Sequence, residues 1–179
     1  MREVFYGVTS QGVTPYFFMT DEKICAFFGH RDVEETEALC AVVRNEIQRA
    51  LDFGCRIFYF GGYGDFDALC YRLVSELKAS GVDLRRVFCV PREAYLYKRV
   101  RYFKREDYED AIYLPPSFEG WYKSIYFRNL AMIDACTYLI FYAENREGSG
   151  AYKAYAYARK KKNKVLVNLF DQAEKDLPQ

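Results

Sequence analysis

Short apolar runs that end in glycine alternate with segments whose apolar residues recur every three or four positions, and this alternation organises the chain from Lys23 to Leu169. The first run, Lys23 to Phe28 (KICAFF), leads into Gly29-His30-Arg31-Asp32. Behind it Leu39, Val43, Ile47 and Leu51 keep helical spacing up to Gly54, and Asp32 with Glu35 stands at capping-box spacing for the helix start. The pattern then repeats. Arg56 to Phe60 stops at Gly61-Gly62, with Gly64 just beyond, and Phe66, Leu69, Cys70, Leu73 and Leu77 form one helical face closed by Gly81 at a C-cap position. Leu84 to Val90 reads as a third strand ended by Pro91, and a helix is expected from Phe118 to Asp134. Cys136 to Ala143 is a fourth buried strand, and it enters the loop Glu144 to Gly150. A helix over Ala151 to Lys162 carries four cations in its last turn, which suits the helix dipole, and Asn163 follows in position for a left-handed cap. Lys164 to Leu169 is the fifth strand.

Strands alternating with helices predict an α/β domain with a mainly parallel five-stranded sheet and right-handed crossovers. In such sheets ligands bind beyond the carboxyl ends of the strands, where the strand order reverses. With the order 3-2-1-4-5, the loops after the first and fourth strands flank the reversal and the Gly61-Gly62 loop lies beside them. Three glycine loops would then share one crevice. Two apolar stretches around Ser10-Gln11-Gly12, between Val4 and Met19, read as an N-terminal hairpin. Residues 92–116, rich in tyrosine and charge, read as an insertion that is partly loop, and residues 170–179 as a polar tail. The whole of 1–179 is taken as one domain with its core at 23–169, which its length allows.

Composition narrows the partners. A net charge of +1 gives no global attraction to nucleic acid or to an anionic membrane, so any such contact needs a local patch. No apolar run approaches the length of a membrane span, and the expected compartment is the cytoplasm. The six cysteines lie in apolar or helical stretches and are expected as buried free thiols. His30 is the only histidine and there is no CxxC, so no metal-ligand set and no cofactor is assigned.

Four segments in sequence order, CAFFGHRD, FGGYGDFD, RNLAMID and EGSGAYKAYAYA, resemble the SLOG superfamily, most closely its GHR-motif branch of YpsA/YoqJ-like proteins. The resemblance spans Lys23 to Leu169 and implies a Rossmann-like three-layer α/β/α fold that binds nucleotides or nucleotide-derived molecules. Relatives in that superfamily include the lonely-guy phosphoribohydrolases and the DprA single-stranded-DNA-binding proteins. The lonely-guy PGGxGTxxE motif with its glutamate is absent. Tyr152, Lys153 and Ala154 stand where that carboxylate is expected.

The candidate ligand residues follow from the loops. Gly29, Gly61, Gly62 and Gly64 let the backbone approach a ligand closely, or simply let strands turn tightly into helices. Arg31 suits a phosphate through its bidentate fork and His30 can donate to a phosphate or sugar oxygen, although a histidine beside a helix start is often structural. Asp67 can accept from a ribose hydroxyl or favour the positive end of its helix. Arg128 and Asn129 are drawn in by the resemblance. Gly148, Ser149 and Gly150 make a phosphate cradle with the following helix, or an ordinary connection. Tyr152, Tyr155 and Tyr157 read as packing before stacking, and Asp134 as a turn residue at the far end of the sheet.

Three functions remain on this reading. The first is binding of a small-molecule nucleotide ligand, in a sensing role. The second is cleavage of a nucleotide N-glycosidic bond, which needs a carboxylate near the ribose, with Asp65, Asp67 and Glu144 the candidates near the loops. The third is single-stranded nucleic-acid binding through Arg92, Lys98, Arg99, Arg101, Lys104 and Arg105, interleaved with Tyr95, Tyr97, Tyr102 and Phe103 and followed by four acidic residues. The resemblance also leaves a homodimer open, since related enzymes assemble that way.

Overall fold

The computed structural model describes residues 5–9, 12–16, 22–96, 107–114 and 124–170. Eight strands form one sheet: β1 (Phe5–Thr9), β2 (Gly12–Tyr16), β3 (Lys23–Gly29), β4 (Cys55–Phe60), β5 (Arg85–Val90), β6 (Asp110–Tyr113), β7 (Tyr138–Tyr142) and β8 (Val165–Asn168). Their order is β2-β1-β6-β5-β4-β3-β7-β8. From β6 to β8 all neighbours pair in parallel, and the β1-β2 hairpin adds to β6 in antiparallel sense. The expected order 3-2-1-4-5 is therefore present as β5-β4-β3-β7-β8, with its reversal at β3.

Burial on both faces explains the near-continuous apolar strands. Along β3 and β4, Cys25, Phe27, Phe58 and Phe60 face one cluster, packed under α1 (Glu37–Asp52) and α2 (Asp65–Ala79). The alternate residues Ile24, Ala26, Phe28, Ile57 and Tyr59 face the other, under α3 (Ser124–Ala135) and α4 (Gly150–Ala158). Phe27 stacks on Phe60 with centroids 5.3 Å apart, and Phe28 stacks on Phe141 at 4.8 Å on the opposite face. All six cysteines are buried and free. Among the described residues no helix is long and apolar enough to cross a membrane.

Several local expectations change. The sheet gains a sixth parallel strand, β6, inside the segment read as a partly looped insertion. Four residues are too few for alternation to stand out from tyrosine-rich surroundings; long-range pairing with β5, and an ion pair from Arg85 to the buried Asp110, hold the strand in place. Helix α1 is capped by Thr36, whose Oγ1 accepts from the Leu39 N–H at 3.1 Å, and not by Asp32. Glu35 is drawn instead into an ion pair with Arg72 on α2. Helix α4 ends at Ala158; Asn163 is left-handed with φ 62°, but in the turn that enters β8. Gly81 has φ +97° just past α2, as a C-terminal glycine should. Trp121 and Tyr122, and most of the cationic and aromatic residues of the insertion (97–106), lie outside the described residues.

Candidate functional site

At the carboxyl ends of β3, β4 and β7 the loops enclose a cavity of about 660 Å³. All three glycine loops contribute. Gly29, His30 and Arg31 come from the first, Gly61 and Asp67 from the second with its helix, and Gly148, Ser149 and Gly150 from the third. Arg128 and Asn129 of α3 complete the candidates that line it. Gly62 and Gly64 do not; both serve the loop itself. Gly62 has φ +65° and a Cβ there would meet the Phe88 ring at 2.4 Å, while Gly64 has φ +100° and its Cβ would meet the Arg31 backbone at 2.8 Å. These two positions favour glycine for the sake of the turn.

The second loop is clasped from within. The Gly61 and Gly62 N–H groups, which have no strand partner beyond the end of β4, donate to the two carboxylate oxygens of Asp67 at 2.9 and 2.8 Å. The buried Arg128 guanidinium donates to the carbonyls of Gly61 (2.7 Å) and Cys89 (2.9 Å). Burial raises the Asp67 pKa above its ordinary value, and the glycine N–H groups and the Arg128 charge oppose that rise. Both Asp67 oxygens are thus engaged by backbone, which weakens its reading as a ribose or catalytic contact. Asp65 accepts from the Val33 N–H, and neither Asp65 nor Glu144 lines the cavity. Arg128 likewise spends Nη1 on carbonyls and Nε on Asn129.

The first and third loops meet at His30. The Glu144 N–H donates to His30 Nε2 at 2.8 Å, so in the neutral ring the proton sits on Nδ1. Arg146 Nη2 stands 3.4 Å from that Nδ1. Two donors therefore approach one point on the cavity wall. Burial, and then the Arg146 charge, hold the His30 pKa below 6.5. Beside them Ser149 caps α4, its Oγ accepting from the Tyr152 N–H at 3.0 Å. The first N–H groups of a helix have no intrahelical acceptor, and the macrodipole makes that end favourable to negative charge. A Cβ on Gly148 or Gly150 would meet nothing within 4 Å, so the loop backbone is open to approach. Arg146 was not singled out in the sequence, because a cation in a polar loop carries no periodic signal; its place one residue before the Glu147-Gly148 turn was the only pointer. The helix tyrosines pack as expected: Tyr155 lies on Phe141, and Tyr157 donates to Asp134 at the opposite end of the sheet. Among the described residues no group of His, Cys, Asp and Glu is placed to hold a metal ion.

The parallel sheet with helices on both faces and a crevice at its reversal point defines a Rossmann-like α/β domain. Two solved structures share this fold. One is DNA processing protein A (DprA) from Streptococcus pneumoniae, with a TM-score of 0.53 and 14% identity over 78% of this chain and 47% of that one. The other is DNA processing protein A from Helicobacter pylori, a structure described for its single-stranded DNA binding mode, with a TM-score of 0.51 and 12% identity over 80% of this chain and 63% of that one. The chain thus spans about half to two thirds of the length of these neighbours. No protein-family model matches the sequence, and no curated protein does.

Removing the clasp should loosen the site. Asp67→Ala leaves one buried and one part-buried N–H group without an acceptor and is expected to cost about 3 kcal/mol in denaturant unfolding, with Asp67→Asn costing less because one acceptor remains. A loss within 0.5 kcal/mol, roughly the scatter of surface substitutions, would contradict this. The histidine gives a pH signature with a definite sign. The unfolded chain takes up a proton near 6.5 whereas folded His30 resists it, so stability should fall as pH drops below about 6.5. His30→Gln should flatten that part of the stability-pH curve, since no other histidine is present.

Proposed function

We propose that this protein binds a nucleotide or nucleotide-derived ligand in the crevice, in a sensing role, as a SLOG-type domain. The observation that carries the reading is the approach of His30 Nδ1–H and the Arg146 guanidinium to within 3.4 Å at the wall next to the start of α4. Glu144, 4.0 Å from Arg146 Nη1, offsets part of that charge from the side, but it does not lie between the two facing donors; a phosphate oxygen satisfies both while drawing on the helix end. The rest of the lining supports an organic ligand larger than phosphate. Phe28, Met132, Ala151 and Ala154 supply apolar wall beside the polar groups, and the volume falls in the range of small-molecule sites. Arg31 is the second cation of the mouth. The three carboxylates expected for hydrolysis are poorly placed for it, since Asp67 is held by backbone and Asp65 and Glu144 lie off the cavity, while Asp32 and Glu147 are the other acids of the lining.

A second reading is single-stranded nucleic acid, favoured by the fold shared with the Helicobacter pylori protein. A strand would offer its phosphate to the same donors. The two readings separate by experiment. In calorimetric titration AMP is expected to bind, and Arg146→Ala to weaken it by about tenfold or more through loss of a charged hydrogen bond. Unchanged affinity would contradict the proposed anchor. If a single-stranded oligonucleotide binds instead, with affinity that falls steeply as salt rises, the second reading replaces the first.

A further inference from the structure

Tyr63 is held at the cavity mouth by an arrangement that has no use in the core. It belongs to none of the buried clusters and is 44% exposed, yet it lines the cavity. The turn that presents it is rigid. Glycines with positive φ flank it on both sides, the Gly62 N–H is fixed by Asp67, and Gly64 lies against the backbone of residue 31. The Asp65 N–H also donates to the Arg31 carbonyl at 2.7 Å, which ties the first and second loops together. Backbone contact therefore sets the two loops side by side, and the Arg31 guanidinium lies over the Tyr63 ring, 4.5 Å from its centroid. On α3, Ile125 adds another large apolar side chain to the lining, 40% exposed.

We propose that the Tyr63-Arg31 stack is the platform that receives the base of the nucleotide. This rests on the binding reading above and extends it by assigning opposite ends of the ligand to different groups. The phosphate goes to His30 and Arg146, and the planar ring is recognised by its face at the mouth. Arg31 then acts on the base and not, as its residue type suggests, on the phosphate. A guanidinium and an aromatic ring both stack on any base, so the platform selects for a planar ring and not for a particular pattern of ring substituents.

The test is calorimetric titration of AMP and of ribose 5-phosphate into the intact protein and into Tyr63→Ala, Tyr63→Phe and Arg146→Ala. Tyr63→Ala is expected to weaken AMP by about tenfold or more and ribose 5-phosphate by less than about twofold, whereas Tyr63→Phe, which keeps the ring, holds AMP within about threefold. Arg146→Ala should weaken both ligands. Equal losses of AMP and ribose 5-phosphate in Tyr63→Ala would overturn the platform, because the ring would then only shape the loop. So would a loss in Tyr63→Phe as large as in Tyr63→Ala. If the intact protein binds AMP and ribose 5-phosphate equally, the base makes no contact and the platform fails while the phosphate anchor stands. If neither ligand binds, the nucleotide reading fails and the platform with it.

Discussion

The carboxylate of Asp67, buried beneath the loop after β4, is the constraint on which the crevice depends. It accepts the two N–H groups that the end of the strand leaves over, and it does so opposite the buried Arg128 guanidinium. Arg128 in turn reaches the carbonyls of Gly61 and Cys89, so α2, α3 and the ends of β4 and β5 are tied by hydrogen bonds from two buried, oppositely charged side chains that meet at Gly61. Buried charges of this kind are costly unless fully hydrogen-bonded, and removal of one partner strands the other. The steric fit agrees: a Cβ on Gly61 would stand 2.6 Å from the Arg128 guanidinium. A glycine loop that looks like a ligand cradle is first of all a fastened corner of the fold.

That corner sets the division of labour around the cavity. With the Gly61 and Gly62 N–H groups already engaged, the first and third loops supply the pair of donors that meet at His30 and Arg146 beside α4. The fastened loop contributes instead the side chain at its tip. Tyr63 is held out at the mouth against Arg31, and Gly64 gives the first loop room to pass close behind it. Polar donors and a planar stack are both what a phosphorylated aromatic ligand needs, and β3, α3 and α4 add apolar lining through Phe28, Met132, Ala151 and Ala154.

The parallel core was legible because strands buried on both faces must be apolar throughout. KICAFF, RIFYF and CTYLIFYA could hardly be anything else, and the glycines behind them marked where each chain turns. Alternation of strands and helices implied the parallel sheet; the order 3-2-1-4-5 was an assumption on top of it, and the sheet has that order, which brings the three loops together. What stayed hidden depended on long-range partners. Strand β6 exists through pairing with β5 and β1, which four residues cannot announce. The start of α1 lies at Thr36, which supplies the cap itself, while Glu35 pairs with Arg72 on α2. Asp67 was visible as an acid at a helix start, but nothing in its sequence neighbourhood distinguished a ligand contact from a clasp on its own loop. Arg146 was invisible for the opposite reason, since its importance comes from a histidine more than a hundred residues away.

The central claim is that the phosphate of a nucleotide sits against His30. Because the chain has a single histidine, its imidazole signals in an NMR titration with AMP report on that point without assignment ambiguity. The account predicts a saturable shift of those signals and a rise of the imidazole pKa in the bound state, as a neighbouring anion favours the protonated ring. Signals and pKa that stay fixed while AMP saturates the protein would place the phosphate elsewhere and contradict the account.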